Sequence, residues 1–500
     1  MKTSSLFRSL ATLAVAALLA FPAAAQQADF TTFVTMGDSL TAGFTDGCLV
    51  DYAQRDSWGA IVARAAGATF EQPIIKSPGL GPCTYLQRLL LTSSGAVPVF
   101  GTRPNTGVPT NATLARPYNN LGVPGFTIHD LVTKNPTTPA GGLTYLILRG
   151  LGTQLQQAAA LKPTFVVIDI GNNDVLGAAY YATALEGVTL TPMASIVPDL
   201  DQIFTTMKAA QGGTGKGIVA TLPDVTSIPF VTTVSPILGI NPSTGNPIYA
   251  LTDEDCPGSA PVCQVTPGSY LTLLSSSYLA QGYGIPCAIL SPSDPRQANC
   301  NKPLPGNLKI NPSTGAITPG VVLTPAEVEK IRKRTAEINY QIVTKGQAAG
   351  YKVFDINGFF ADVVAHGRNY GVLQVSTAFL TGGFFGYDGT HPSSLGYAIT
   401  ADEFIQLINA AYGNNLPRPD MSPFLFNGNT SSGGYPSGGA LSAEEQLLWA
   451  AGIFHPDTFQ ELVQYSLPEV SARRSIPGNP HGTPVSPNRE TPRSGEDRVN

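Results

Sequence analysis

The residue best placed for nucleophilic chemistry is Ser39, near the start of the chain. It follows the apolar run Phe33–Met36, which has the aromatic and β-branched character of a strand, and Gly37 ends that run. In open α/β sheets, ligands bind at the carboxyl ends of the strands, where this turn would deliver the serine hydroxyl. Because a serine hydroxyl is a poor nucleophile without a neighbouring base, a base must converge on it.

The chain has five histidines, at positions 129, 366, 391, 455 and 481. His391 lies three residues after Asp388, on a loop that contains Gly389 and is stiffened by Pro392. Both side chains can therefore face one cavity, where Asp388 would orient the imidazole. His129 begins a helix and has no acid placed to orient it from the loop side. His366 follows the pattern of a surface helix, and His455 and His481 lie in the C-terminal region. We therefore predict His391 as the base.

Acyl chemistry also needs hydrogen-bond donors that face the oxygen where negative charge develops. Three donors are available: the backbone N–H groups of Ser39 and Gly125, and the side-chain amide of Asn173. Glycine at position 125 lets the backbone approach a substrate without a Cβ in the way. Asn173 lies just beyond a predicted strand, as Ser39 does, which places both residues at the same edge of the sheet.

The elements that must position these residues alternate between strands and helices. Apolar strand patterns occupy residues 33–36, 164–170, 217–222 and 351–355, and helical patterns occupy residues 57–67, 153–161, 199–211, 324–348 and 394–412. Thr324-Pro325-Ala326-Glu327 combines a capping box with proline at the first helical position. This alternation predicts an α/β fold in which a parallel sheet is covered by helices on both faces.

Taken together, four short segments resemble the motifs of the GDSL, or SGNH, hydrolase family. They are Gly37-Asp38-Ser39-Leu40, the loop Asn120-Leu121-Gly122-Val123-Pro124-Gly125, Gly171-Asn172-Asn173-Asp174, and Asp388-Gly389-Thr390-His391-Pro392. Each segment alone is compatible with an ordinary turn, polar loop or helix cap, but the four occur in the family's order over residues 30–412. The G-x-S-x-G elbow of the α/β-hydrolases is absent from the sequence.

The resemblance implies a role for each matching residue. Ser39 would be the nucleophile, His391 the base and Asp388 the residue that orients it, while Ser39, Gly125 and Asn173 would form the oxyanion hole. The implied fold is a three-layer α/β/α sandwich of the flavodoxin-like, SGNH type. The implied activity is ester hydrolysis that needs neither a metal nor an organic cofactor.

Residues 227–323 interrupt the alternating pattern and form a predicted insertion. They contain four of the six cysteines and two copies of Ile-Asn-Pro-Ser-Thr-Gly, at 240–245 and 310–315. Six cysteines allow 15 pairings, among which the sequence does not choose; pairing of nearest neighbours is our prediction. We expect a disulfide-pinned insertion beside the site, which either shapes the substrate site or is an inert addition.

Both ends of the chain differ in composition from its middle. Residues 1–25 have a basic start, an apolar stretch and three alanines at the end, which predicts a signal peptide cleaved after Ala25. A hydrolase domain at 27–415 would precede a Gly/Ser/Pro-rich linker at 416–440, a short helical segment at 441–470 and a disordered tail at 471–500. The apolar stretch is shorter than the roughly 20 residues of a spanning helix, so we expect export to the periplasm or medium.

The composition excludes several classes of partner. Charged residues make up 13% of the chain, the formal net charge is −5, and no run of Lys or Arg suggests a nucleic-acid partner. Neither a C-x-x-C nor an H-x-x-x-H pair occurs, so we expect no metal site. The leading hypothesis is an exported esterase that acts on lipid, aryl or other O-acyl esters. Acyl transfer at the same site, or a catalytically silent binding protein, are the alternatives, and the oligomeric state stays open.

Overall fold

A four-stranded parallel sheet forms the centre of the computed structural model, which describes residues 27–426 except 93–94, 315 and 372. Its strands are β1 (Phe33–Gly37), β2 (Phe165–Asp169), β3 (Gly217–Ala220) and β4 (Lys352–Phe354), hydrogen-bonded in that order. Every residue of the first three strands is buried, as expected for parallel strands covered on both faces. The α/β sandwich predicted from the sequence is confirmed.

Helices cover both faces of this sheet. They are α1 (Trp58–Ala65), α2 (Ile128–Thr133), α3 (Gln154–Ala160), α4 (Asn173–Tyr180), α5 (Met193–Ala210), α6 (Pro325–Ala349), α7 (Ile356–His366) and α8 (Ser394–Tyr412). Alternate residues of a strand point to opposite faces, so the neighbours Phe33 and Val34 enter different cores. Phe33 packs in a cluster that contains residues of α1 and α8, whereas Val34 belongs to a cluster that contains residues of α5 and α6.

Local sequence signals explain where most of these helices begin. The Thr324 and Thr153 side chains each form a capping box at the start of a helix, as the sequence indicates for Thr324. The predicted start of α5 at Asp199 is wrong, because the helix begins at Met193 and includes Pro198. A proline removes one backbone donor, and here packing of the apolar face of the helix outweighs that local cost.

Residues 227–323 form a subdomain of short elements with an apolar core of their own. Its antiparallel strand pairs are Ile237–Ile240 with Pro247–Tyr249, Leu251–Thr252 with Cys263–Gln264, Tyr270–Leu271 with Val322–Leu323, and Lys309–Ile310 with Ile317–Thr318; its α-helices are Pro229–Thr232 and Ser275–Gln281. The two copies of the hexapeptide make matching turns, in which Asn241 and Asn311 each accept backbone N–H groups two and three residues later.

Three disulfides join nearest neighbours, in agreement with the predicted pairing: Cys48–Cys83, Cys256–Cys263 and Cys287–Cys300. Residues 68–119, between α1 and α2, contain a hairpin of Thr84–Thr92 and Gly95–Thr102. The other short elements are the helices Ser39–Ala42, Asp51–Arg55, Gly142–Leu148 and Ser422–Phe426, and the hairpin Arg368–Tyr370 with Leu373–Val375.

The predicted signal peptide, the C-terminal helical segment, the tail and most of the linker lie outside the described residues. Within the described residues, no helix combines the length and the apolar character that crossing a membrane requires.

Candidate active site

Ser39 lies directly after β1, where the backbone passes very close to the neighbouring strand. A Cβ at position 37 would come within 2.0 Å of the Asp169 carbonyl oxygen, so only glycine fits there. Ser39 begins the short helix Ser39–Ala42, and the Asp38 carboxylate accepts the N–H of Leu40 as its cap. The tight strand-to-helix turn thus places the serine hydroxyl at the carboxyl edge of the sheet.

His391 joins Ser39 to Asp388 in a continuous chain of hydrogen bonds. The Ser39 Oγ lies 2.9 Å from His391 Nε2, and His391 Nδ1 lies 2.8 Å from Asp388 Oδ2. Ser39 and His391 are only 6% and 9% exposed, and the Phe44 ring packs 4.8 Å from the imidazole. With Nδ1 protonated, Nε2 is free to accept the proton of the serine hydroxyl, which is the geometry of nucleophilic catalysis.

The Asp388 carboxylate is buried and accepts several hydrogen bonds. One oxygen accepts the backbone N–H groups of Thr390 and His391, and the other accepts that of Gly47 in addition to the imidazole. Burial by itself raises the pKa of Asp388, but the charge of His391 and these hydrogen bonds outweigh it, and the pKa lies below its ordinary value. The carboxylate therefore stays ionised and can stabilise an imidazolium.

Gly125 and Asn173 lie next to each other at the same edge of the sheet. Asn173 is the first residue of α4, and its Nδ2 donates to the carbonyl of Phe126, 2.9 Å away. That contact leaves the second amide hydrogen for another acceptor. Gly125 has a φ of +83°, and no atom lies within 4 Å of where its Cβ would be. The backbone at Gly125 is therefore open to close approach.

A polar network that the sequence analysis did not identify ties these segments together. Asn172 Nδ2 donates to Asp38 Oδ2 at 3.0 Å, and Asn120 Nδ2 donates to the carbonyl of Thr41 at 2.8 Å. Burial raises the pKa of Asp38 to about 6, opposed by its hydrogen bonds with Asn172 and Leu40 and by the charge of His391. Asp38, Asn120 and Asn172 all stand in the motif segments quoted from the sequence, and this position was the available signal for the network.

His129 and His366 both lie in other surroundings. His129 Nδ1 is 2.9 Å from Asp199 Oδ2, an acid on α5 and not on the loop side that the sequence analysis considered. The start of α5 lies six residues before the predicted one, but the contact itself depends on packing of α2 against α5, which local sequence does not show. His366 ends α7 and pairs with Asp362 on the surface. Among residues 27–426 as described, no cluster of His, Cys, Asp or Glu is arranged to hold a metal ion.

A small apolar cavity of about 70 Å³ adjoins the site. Leu40 and Thr390, the neighbours of Ser39 and His391 in the chain, form part of its wall. Half of the remaining wall residues are aromatic, among them two pairs of phenylalanines at positions 359, 360, 384 and 385, and the buried Asp169 also lines the cavity. A cavity of this composition suits a hydrocarbon group better than a charged one.

Comparisons with known proteins were made by sequence and by structure. The family model described as GDSL-like Lipase/Acylhydrolase matches residues 33–404. A crystal structure of the lipase/acylhydrolase from Enterococcus faecalis is similar over 78% of this chain and 98% of its own, with 15% identity and a TM-score of 0.28. This identity and this TM-score are too low to support an argument, so the structural similarity adds nothing to the family match. No curated protein matched the chain.

Proposed function

The chain belongs to the GDSL-like lipase/acylhydrolase family, and on that basis we propose that it is an exported serine hydrolase that cleaves carboxylic esters through an acyl-enzyme. The observation that carries this proposal is the hydrogen-bonded series from Ser39 through His391 to Asp388. Ser39 lies 352 residues before His391 in the chain, whereas Asp388 and His391 share one loop, and together they form the arrangement that activates a serine hydroxyl.

In the proposed reaction, Ser39 Oγ attacks the ester carbonyl carbon while His391 Nε2 takes the hydroxyl proton. The resulting tetrahedral oxyanion accepts hydrogen bonds from the backbone N–H groups of Ser39 and Gly125 and from the Asn173 amide. His391 then gives the proton to the leaving alcohol, and the C–O bond breaks to leave an acyl-serine. Water, deprotonated by the same imidazole, attacks that ester and releases the acid.

Asp388 contributes without taking a proton. It holds the imidazole in the tautomer that presents Nε2 to Ser39, and its negative charge stabilises the imidazolium formed in both steps. Its lowered pKa favours this role, since a carboxylate that remains ionised keeps that interaction over a wide range of pH.

The site also favours one class of substrate. The cavity beside Leu40 and Thr390 is apolar and small, so we propose that it receives the hydrocarbon part of an ester with a short or flexible acyl group. Export is supported by the leader-like N-terminal sequence and by the three disulfides, because such bonds persist in oxidising compartments.

Replacement of the nucleophile tests the proposal. We expect Ser39→Ala to lower kcat on a p-nitrophenyl ester of a short acid by roughly a thousandfold or more, because no other hydroxyl lies in contact with His391 Nε2 among the described residues. Ser277→Ala, at an exposed serine of the insertion, serves as the matched control and keeps full activity.

A second readout does not depend on turnover. A fluorophosphonate probe should add its mass to the peptide that contains Ser39 in the native protein, and to no peptide of the Ser39→Ala variant. Equal hydrolysis by the native protein and the variant would refute the proposed function. Product analysis with an added alcohol separates hydrolysis from acyl transfer.

A further inference from the structure

The loop that contains Asp388 and His391 is held by a short turn that follows Ser39 in the chain. This turn, residues 45–48, is called here the clamp turn. The backbone N–H of Gly47 donates to Asp388 Oδ2 at 2.9 Å, and Asp46 Oδ1 accepts the N–H of Tyr387 at 2.6 Å. Thr45 Oγ1 donates to the carbonyl of Pro392 at 2.9 Å. Three successive residues thus bind the loop on both sides of His391.

The clamp turn has the conformation of a tight hairpin. Thr45 and Cys48 exchange backbone hydrogen bonds of 3.0 and 2.8 Å, and the two residues between them have φ values of +54° and +80°. Two successive residues with positive φ characterise the type I′ turn, for which Asp-Gly is a preferred pair. In this conformation the N–H of Gly47 faces away from the turn and reaches the Asp388 carboxylate.

A disulfide fixes the far end of the clamp turn. Cys48 is bonded to Cys83, and both residues are almost completely buried. Around this bond, Leu49 exchanges backbone hydrogen bonds with Leu80, and the N–H of Thr84 donates to the Asp46 carbonyl at 2.7 Å. The segment 80–84 therefore holds the turn through a disulfide and hydrogen bonds that are separate from those to the Asp388 loop.

We propose that the clamp turn and the Cys48–Cys83 disulfide position Asp388, and through it His391, for general-base catalysis. Asp388 Oδ2 receives both the Gly47 N–H and the imidazole Nδ1–H, so the turn sets the direction in which the carboxylate faces the ring. Residues 45–47 are positioning residues, since Gly47 acts through Asp388, and Thr45 and Asp46 act through the adjoining residues of the same loop, and not on the substrate. The proposal rests on the proposed function for its kinetic consequences but not for its structural ones.

The double variant Cys48→Ser/Cys83→Ser tests the proposal kinetically. We expect kcat to fall roughly 10- to 100-fold while KM changes less than about threefold, because a small misplacement of the base affects the transition state more than binding. Cys256→Ser/Cys263→Ser removes a disulfide of the insertion and is the matched control, which keeps its kcat. The Cys48–Cys83 disulfide closes the longer of the two loops, so its removal should lower the stability of the protein more than removal of Cys256–Cys263. Both variants are therefore assayed well below their own measured Tm, where each is folded.

Two single substitutions cover the case in which the double variant does not fold. Asp46→Ala removes the acceptor of the Tyr387 N–H, whereas Asp46→Asn retains an oxygen at the same place. We expect the alanine variant to lose kcat and the asparagine variant to recover most of it. Thr45→Val, which removes the bond to Pro392, should lower kcat in the same direction.

Proton NMR of protein labelled with ¹⁵N-histidine follows the geometry without catalysis. The His391 Nδ1–H, assigned by its loss in His391→Gln, should give a far-downfield signal in the native protein and in Ser39→Ala, and this signal should weaken or disappear in Cys48→Ser/Cys83→Ser. Retention of both the signal and kcat in the double variant, or an equal loss of kcat in the Cys256/Cys263 control, would overturn the proposal. Failure of the proposed function would instead show as unchanged activity in Ser39→Ala. The NMR comparison between the native protein and Cys48→Ser/Cys83→Ser would still test whether the clamp turn and its disulfide position Asp388 and His391.

Discussion

At the scale of single residues, the site depends on polar groups that are buried at one edge of the sheet. Asp38, Asp169 and Asp174 are each almost completely inaccessible to solvent. Burial disfavours the charged form of a carboxyl group, so the pKa of each is raised, to about 6 for Asp38 and about 7 for Asp174. Asp38 and Asp174 hold backbone and amide donors in place at a cost in stability near neutral pH.

Asp174 allows that cost to be measured. Burial, opposed by hydrogen bonds with Ile128 and Thr191, raises its pKa to about 7, above the value of about 3.9 in an unfolded chain. The stability that this group contributes is therefore complete below pH 4 and is lost as the pH rises through 7. We expect Asp174→Asn, which keeps an acceptor for the Ile128 N–H, to gain free energy of unfolding relative to the native protein by up to about 4 kcal/mol between pH 4 and 8.

Urea unfolding at pH 4, 6 and 8 checks this expectation. Asp29→Asn is the control, because hydrogen bonds from Thr31 lower the pKa of this exposed carboxyl. Its contribution is complete above the unfolded pKa of about 3.9 and is lost only at lower pH, so the difference between Asp29→Asn and the native protein should stay constant from pH 4 to 8. Parallel pH profiles for Asp174→Asn and the native protein would contradict the assignment of a raised pKa.

At the scale of elements, helix starts and strand faces are set by short sequence patterns. The longest helix, α6, begins with a reciprocal pair in which Thr324 Oγ1 accepts the N–H of Glu327 and Glu327 Oε2 accepts the N–H of Thr324. Glu327 also accepts the N–H of Ala184, so the same carboxylate connects the helix start to the loop after α4. Glu327 therefore both caps its own helix and forms a tertiary contact with a segment remote in sequence.

We expect Thr324→Ala to lower the free energy of unfolding by about 1 kcal/mol, because it removes the acceptor of one otherwise unpaired helix N–H. Thr324→Ser keeps the hydroxyl and should be close to the native protein. Urea unfolding at pH 7 measures both variants, and kcat on a soluble ester should be unchanged in each. A Thr324→Ala variant as stable as Thr324→Ser would show that the cap contributes nothing measurable.

At the scale of the whole molecule, the insertion packs against the loop that contains Asp388 and His391. The N–H of Phe230 donates to the Gly389 carbonyl at 2.8 Å, and its ring stacks on Tyr180 at the end of α4, with centroids 4.3 Å apart. Leu273, further along the insertion, donates its N–H to Phe230. The subdomain therefore contacts both the loop of His391 and the helix that begins at Asn173.

We expect Glu254 to make the attachment of the insertion sensitive to pH. Burial, the nearby Glu327 of α6 and the neighbouring acids Asp255 and Asp253 raise its pKa to about 9, far above its value when unfolded. The contribution of this group to stability is complete below about pH 4 and is lost progressively up to pH 9. We expect hydrogen exchange in the segment 237–323 to speed up between pH 6 and 9 beyond the intrinsic pH effect, while β1 and β2 stay protected.

Glu254→Gln should abolish this additional acceleration, because glutamine does not titrate. Hydrogen exchange measured by mass spectrometry on both proteins, corrected for the intrinsic rate at each pH, makes the comparison. An equal acceleration in Glu254→Gln would show that another group is responsible, and Glu327 would be the next residue to replace.

Some features followed from the sequence because their causes are local or repetitive. Ser39 and Asp388-x-x-His391 stand in short motifs, each next to a strand or a helix start, and the buried strands are recognisable as continuous apolar runs. The helix starts at Thr153 and Thr324 follow from side chains within three residues of the cap. The three disulfides join cysteines that are also neighbours along the chain.

Other features depend on contacts between segments that are remote in sequence. Gly47 reaches Asp388 across 341 residues, Asn172 reaches Asp38 across 134, and His129 meets Asp199 only because α2 packs on α5. No local pattern encodes such a bond, since its length is set by how the sheet, helices and loops pack together. The sequence by itself therefore determined which groups are available for chemistry and which elements carry them. Only the tertiary structure decided which groups hold Asp388 and His391 in line with Ser39, because hydrogen bonds require distances near 3 Å that chain order does not specify.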